Sequence, residues 1–232
     1  GFAGSSFLLA FVFGATFGNV VRGVPVDDDG FFSTPLFTHF FPTADAGALD
    51  LYTASIGLFA VLALTLHGCL YLRWKTSGPV AERATEIAKK MFIVVLAIDV
   101  AVAVASSRMS PSAMHAFLER PLAWVFAAIA LGGAGLLGKS LRGNSERDEL
   151  LGFVGSCVFL AATLIAGACA LFPVLLRSTL SDSYSLDAIR NSSGAHGLAL
   201  GLVWYVPAIT LAAAYLVYVL RETRGKARPD SH

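Results

Sequence analysis

The stretch LYTASIGLFAVLALTLHGCLYL, residues 51–72, decides the fold because it contains no Asp, Glu, Lys or Arg. A helix rises 1.5 Å per residue, so about 20 mainly apolar residues are needed to cross a hydrocarbon core of roughly 30 Å. Residues 51–72 meet that requirement. They therefore predict a membrane-spanning helix.

Further apolar stretches of similar length occur along the chain, at residues 2–21, 91–107, 121–137, 151–176 and 198–220. Backbone amides need hydrogen-bond partners inside a bilayer, which leaves helices or a closed β-barrel. Continuous apolar runs lack the alternating pattern of barrel strands. The sequence therefore predicts an all-α, polytopic transmembrane helix bundle with six spans, formed by residues 1–221.

The composition also indicates a chain that folds in lipid. Of the 232 residues, 56% are hydrophobic and 14% are charged, and the mean hydropathy is +0.68. These values exclude an ordinary soluble domain. The net charge of +1 gives no reason to expect a nucleic acid as partner. The three cysteines lie within apolar runs, so we expect them to be packing residues and predict no metal site.

Basic residues are distributed unevenly between the two sets of alternating loops, and cytoplasmic loops normally carry the excess. Five fall on one side, namely Arg22, Arg108, Arg120, Arg177 and Arg190. Twelve fall on the other, namely Arg73, Lys75, Arg83, Lys89, Lys90, Lys139, Arg142, Arg147, Arg221, Arg224, Lys226 and Arg228. The bias predicts that both termini are cytoplasmic, that the segment from Asp27 to Asp45 faces outward, and that residues 222–232 form a disordered cytoplasmic tail.

Polar residues inside predicted spans are the candidates for function, because they are costly in lipid. Asp99 lies in the middle of the span 91–107, where it could be a neutral carboxyl bonded to a neighbouring helix or could move protons. His67 could be a packing residue or a ligand. The two lie at similar distances from the cytoplasmic ends of their spans, which leads to the hypothesis that Asp99 pairs with His67.

Asn19 and Arg22 lie one turn apart near the end of the first span. They could bind a quinone head group or the backbone of a partner, or they could cap the helix and anchor it at the interface. Gly14 and Gly18 form a small-xxx-small pair on the same span, and glycines crowd one end of the span 121–137. Such glycines allow helices to approach closely.

Motifs for soluble enzyme chemistry, such as a phosphate-binding glycine loop or a nucleophile elbow, do not occur. Other short motifs are specific. They are GNVVRGVP at 18–25, DGFF at 29–32, PLFT at 35–38, LDLYT at 49–53, LTLHG at 64–68, Tyr71-Leu72, Lys75-Thr76, Phe172-Pro173, Ser178-Thr179-Leu180 and Ser185-Leu186. In these motifs the chain resembles subunit II of cytochrome bd-type quinol oxidases. Asn19, Arg22 and His67 are motif positions, Asp99 matches no acid of the family, and Arg177 stands where the family often has a proline.

The resemblance implies an accessory subunit of a membrane quinol:oxygen oxidoreductase in the aerobic respiratory chain of the bacterial inner membrane. Its partner would be a haem-bearing subunit I, which holds the haems and the quinol site, while this chain would bind no haem and would not be catalytic alone. Membrane lipid and a bound quinone are further candidate ligands. The spans resemble the last six helices of the family, so we expect three preceding helices to be missing. The competing hypotheses are a small-solute or ion transporter and a membrane scaffold.

Overall fold

A computed structural model describes residues 1–32, 34–42, 47–223 and 225–227. Within these residues the chain is all-α apart from one small antiparallel strand pair. The helices are α1 (Phe2–Arg22), α2 (Leu51–Lys75), α3 (Pro79–Met109), α4 (Pro111–Glu119), α5 (Pro121–Ser140), α6 (Glu146–Leu171) and α7 (Ala195–Glu222), and the strands are β1 (Val174–Leu176) and β2 (Leu186–Asp187).

Helix α2 is central to the bundle because it packs against α1, α3 and α6, while α5 packs along α6. The contacts among α2, α3, α5 and α6 form one apolar core, built around Leu70 and Leu137, both of which are fully buried. Glycines allow the close approaches: a Cβ added at Gly14 would lie 2.7 Å from Ala60 Cβ, and one added at Gly133 would lie 2.7 Å from the backbone nitrogen of Phe159. The predicted role of the span glycines in packing holds for these two positions.

The predicted helix boundaries are accurate for α1 and α2 and less so for α3 and α6. Helix α3 begins at Pro79, twelve residues before the predicted span at 91, because a charged segment continues the same helix. Helix α6 ends at Leu171, although the prediction extended it to Leu176. The reason is Pro173, which lacks an N–H and forces Phe172 into an extended conformation.

Five of the described helices are long and apolar enough to cross a membrane: α1, α2, α5, α6 and α7. Helix α3 is not among them; it contains seven charged residues, five of them before Met91, namely Glu82, Arg83, Glu86, Lys89, Lys90, Asp99 and Arg108. An all-α polytopic membrane fold is therefore present, and the sixth span and the orientation stay predictions. Helix α7 lies apart from the core, with none of its residues buried.

The bundle has two ends, which we call the Arg22 end and the Lys75 end after the last residues of α1 and α2. At the Arg22 end, the segment after α1 is joined to the segment after α6: the Val24 N–H donates to the Arg177 carbonyl at 3.0 Å, and the Thr179 N–H donates to the Val24 carbonyl at 3.0 Å. Gly23 permits this crossing because its φ is +97° and the backbone of Arg177 lies beside it. Nearby, the N–H groups of Arg190 and Ile189 bond the Asp187 carboxylate and lower its pKa.

The count of basic residues treated Arg73 as a loop residue at the Lys75 end. In the structure it belongs to α2 and is buried. Its guanidinium donates to the carbonyls of Ser140 at 3.1 Å and Gly143 at 2.6 Å. A cation is favourable there because the carbonyls at a helix C-terminus carry partial negative charge. Arg73 therefore ties α2 to the end of α5.

Part of the predicted tail is ordered against this same end, which corrects the expectation that 222–232 is disordered throughout. The Ala227 N–H donates to the Lys75 carbonyl at 2.8 Å, and Lys226 forms an ion pair with Glu149 at 2.6 Å. Arg224 and residues 228–232 lie outside the described residues.

Candidate functional site

A cluster of polar side chains occupies the Arg22 end, where α1 ends and α2 begins. Arg22 is in the last turn of α1, Asn19 is one turn before it, and Asp50 is the residue that caps the N-terminus of α2. The two helices therefore present a cation, an amide and an acid to one another.

Arg22 is the centre of the cluster. One of its terminal nitrogens bonds the Asp50 carboxylate, and the other donates to Asn19 Oδ1 at 2.7 Å and to the Gly47 carbonyl at 3.0 Å. The Asn19 amide nitrogen in turn donates to the carbonyls of Ala48 at 2.7 Å and Ala15 at 3.0 Å. The cluster thus holds the chain before α2 against the end of α1.

The Asp50 carboxylate is fully enclosed, with 0% of its side chain exposed against 12% for Arg22. It also accepts a bond from the Thr53 N–H at 2.8 Å, while the Thr53 hydroxyl accepts from the Asp50 N–H at 2.9 Å, forming a capping box. Both carboxylate oxygens of Asp50 and both terminal nitrogens of Arg22 are bonded within the chain. The arrangement suits a structural clamp between α1 and α2.

The structure brings together Asn19 and Arg22, as their spacing predicted, and adds Asp50, which the sequence reasoning did not select. Two signals could have found it. Asp50 precedes an apolar run and is followed three residues later by Thr53, a pattern typical of a helix cap. It also lies on the same predicted side of the membrane as Arg22, so a pair between the two spans was geometrically available.

His67 lies elsewhere, in the half of α2 nearer the Lys75 end. Its Nδ1 is 2.8 Å from Ser156 Oγ on α6, and its ring stacks on Phe153 with centroids 5.0 Å apart. The Ser156 hydroxyl donates its one hydrogen to the Phe153 carbonyl at 2.7 Å. The network therefore assigns the proton of a neutral His67 to Nδ1.

The hypothesis that Asp99 pairs with His67 is wrong in this structure. Tyr52 Oη and Ser106 Oγ are 2.9 Å apart, which sets the register of antiparallel α2 and α3. Counting from that contact puts Asp99 level with Phe59, eight residues from His67, or about 12 Å along the axis. The half-buried Asp99 carboxyl has no hydrogen bond to any described residue.

We therefore expect His67 to be coupled to Ser156 and not to Asp99. In double-mutant cycles, His67→Gln with Ser156→Ala should show a coupling energy of about 0.5–1.5 kcal/mol, because each change removes the same hydrogen bond. His67→Gln with Asp99→Asn should be additive within about 0.5 kcal/mol. The measurement is the stability of the purified assembly, and strong coupling in the second cycle would restore the original pair.

The fold and these contacts define a polytopic α-helical membrane protein whose buried polar groups join helices to one another. Comparison with known families makes the assignment specific: residues 1–222 match the family described as cytochrome bd terminal oxidase subunit II, and the chain belongs to that family. The resemblance seen in the short motifs is thereby confirmed. Membership places the chain in the bacterial inner membrane as a multi-pass protein.

Two curated relatives give the same result at low identity. The chain is 25% identical over 250 residues to a protein named probable cytochrome oxidase subunit 2 from Haemophilus influenzae. It is 23% identical over 231 residues to the cytochrome bd ubiquinol oxidase subunit 2 of Bacillus subtilis. These alignments cover 97% and 98% of this chain. The chain spans 64% of the length of each of these two relatives.

Proposed function

We propose that the chain is part of a haem-free supporting subunit of a membrane quinol:oxygen oxidoreductase, whose haem-bearing partner, subunit I, carries out the redox chemistry. The observation that carries this proposal is the family match over residues 1–222. The relative from Bacillus subtilis is named as a ubiquinol oxidase subunit, which supports quinol as the electron donor of the complex.

The hydrogen bonds of the polar cluster at the Arg22 end favour a structural role over a catalytic one. The side chains in this cluster form hydrogen bonds with one another and with backbone carbonyls; they are Arg22, Asp50 and Asn19. A buried ion pair of this kind is expensive to break and fixes one geometry. Its contribution is to hold α1, α2 and the backbone at Gly47 and Ala48 together for packing against a partner.

The histidines support the absence of haem. A membrane haem needs an axial ligand inside the bundle, usually His or Met. His67 is the histidine inside a predicted span; its Nδ1 is bonded to Ser156, so its Nε2 is the one position it offers to iron, and a single such ligand is too few for an electron chain of several haems. His115 lies on the short α4, where it faces Glu119 at 3.4 Å and is largely exposed.

A direct test is the haem content of the separated subunits. When this subunit is purified in full from cells lacking subunit I, we expect no haem absorption. Deleting it should leave subunit I with lost or misassembled haems and no quinol oxidase activity, measured by oxygen uptake. A stoichiometric haem band on the separated subunit would contradict the proposal, and His67→Ala would then be the first variant to examine for loss of that band.

We further propose that α3 is the sixth span and that the Lys75 end is cytoplasmic. The apolar half of α3, from Met91 onward, is long enough to cross the hydrocarbon core, and the charged half before it would extend into the cytoplasm. The proposal also puts the segment from Asp27 to Asp45 outside; Ser33 and Asp45 lie outside the described residues.

Single-cysteine labelling tests this topology. In a background without Cys69, Cys157 and Cys169, Ser183→Cys at the exposed Arg22 end should react with an impermeant maleimide in intact cells. Thr76→Cys at the Lys75 end should react only after the membrane is opened. The opposite pattern would mean that the orientation is inverted.

The transporter hypothesis retains one supporting observation, the Asp99 carboxyl, which has no hydrogen-bond partner within the described part of the chain. The two functions differ in their need for a partner. A transporter would move its solute when reconstituted without subunit I, whereas the proposed supporting subunit would show no activity of its own.

A further inference from the structure

The Arg22 end contains a cavity of about 110 Å³ between the end of α1, the short helix α4 and the segment that follows α6. Two arginines and two serines line it, namely Arg120, Arg177, Ser110 and Ser112. None of the described residues that line it is acidic. One water molecule needs about 10–15 Å³ of such cavity space, so the space is large enough for a tetrahedral anion.

Arg120 is fixed in place by the end of α6. Its guanidinium donates to the carbonyls of Cys169 and Phe172. These carbonyls carry only the partial charge of a helix C-terminus, about half an elementary charge, so they do not neutralise the arginine. Glu119, its neighbour in sequence, lies 3.4 Å from His115 and forms no ion pair with Arg120.

Arg177 also lines the cavity. Its side chain donates to Ser112 Oγ on α4, and its backbone is held by Val24 through the bridge described above. The next residue, Ser178, is buried and donates to the Val26 carbonyl at 2.6 Å. The guanidinium is therefore held at the cavity before any ligand arrives.

Neither arginine has a carboxylate partner in the described residues, where the carboxylates close to a basic side chain are Asp50 with Arg22, Glu119 with His115 and Glu149 with Lys226. Two uncompensated guanidiniums facing one small cavity favour an anion with several oxygens, because such groups accept charge-assisted, bidentate bonds. A phosphate group has that chemistry.

The surroundings indicate that the phosphate belongs to a lipid. The cavity lies at the ends of membrane-spanning helices, and the apolar side chain of Phe172, which lines it, is 55% exposed. Trp124, at the start of α5, packs against Phe117 with centroids 5.3 Å apart, and tryptophan is typical of the headgroup level. We propose that this cavity binds the phosphate of an anionic lipid from the leaflet at the Arg22 end, with its acyl chains beside the exposed side chain of Phe172.

The test compares Arg177→Gln with Arg190→Gln, which removes an exposed arginine of the same outer segment that does not line the cavity. Native mass spectrometry of the delipidated oxidase complex, titrated with phosphatidylglycerol, gives the affinity for the lipid. We expect Arg177→Gln to bind phosphatidylglycerol about tenfold more weakly than the unaltered complex, and Arg190→Gln to bind it equally well. Arg177→Lys, which keeps the charge, should lose less affinity for phosphatidylglycerol than Arg177→Gln.

Two further binding measurements distinguish a lipid phosphate from free inorganic phosphate. Phosphatidylcholine should bind the unaltered complex more weakly than phosphatidylglycerol, and millimolar inorganic phosphate should not displace the lipid. Displacement by inorganic phosphate would overturn the lipid assignment in favour of a soluble anion. Equal phosphatidylglycerol affinity for both Gln variants would overturn the site. If Arg177→Gln fails to assemble, the test is the affinity of the unaltered complex for phosphatidylglycerol at different salt concentrations. An affinity that does not change with salt would exclude an arginine site.

Discussion

Replacing Asp50 with asparagine should lower the stability of the subunit by about 3–5 kcal/mol, because it leaves the Arg22 guanidinium in a largely buried position without its counter-charge. The change removes the ion pair and weakens the cap of α2 at the same time. We expect a large loss of assembled oxidase in the membrane and a lower thermal midpoint for what remains.

Asp28→Asn is the matched control, since it is the same substitution at an exposed acid in the segment that joins α1 to α2. It should change stability by no more than about 0.5 kcal/mol. The double variant Arg22→Gln with Asp50→Asn should recover part of the loss, because no unpaired charge is then buried. If Asp50→Asn and Asp28→Asn assemble equally well, the clamp does not exist in the native complex.

Hydropathy predicted the existence of the helices better than their ends. A hydropathy window detects where the apolar side chains stop, whereas a helix continues for as long as its backbone bonds do. Helix α3 shows the difference, since its charged first half from Pro79 onward continues the same helix before Met91. The end of α6 was predictable in principle, because Pro173 marks it in the sequence.

Within the candidate site, the sequence predicted contacts between residues on one helix but not contacts between helices. Asn19 and Arg22 lie three residues apart on one helix, so their contact follows from helical geometry alone. Asp50 is 28 residues from Arg22, and its role depends on how α2 begins. The pairing of Asp99 with His67 failed because distance from a helix end does not fix the register of two helices. That register depends on contacts such as Tyr52 with Ser106.

Two adjacent glycines on α5 provide the sharpest test of the packing itself. A Cβ added at Gly133 would lie 2.7 Å from the backbone nitrogen of Phe159 and 2.9 Å from the Gly155 carbonyl oxygen on α6. Backbone atoms cannot move aside as a flexible side chain can, so the two helices must separate. A Cβ added at Gly132 would meet nothing within 4 Å.

Gly133→Ala should therefore destabilise the subunit by about 1–3 kcal/mol through overpacking, and Gly133→Val by more. Gly132→Ala should leave stability unchanged or slightly raised, because alanine loses less conformational freedom than glycine in a helix. The pair is measured by thermal unfolding of the detergent-solubilised complex and by the amount of complex assembled in the membrane. Since the two variants differ only in the side of α5 that receives one methyl group, equal behaviour would show that α5 and α6 are not in close contact.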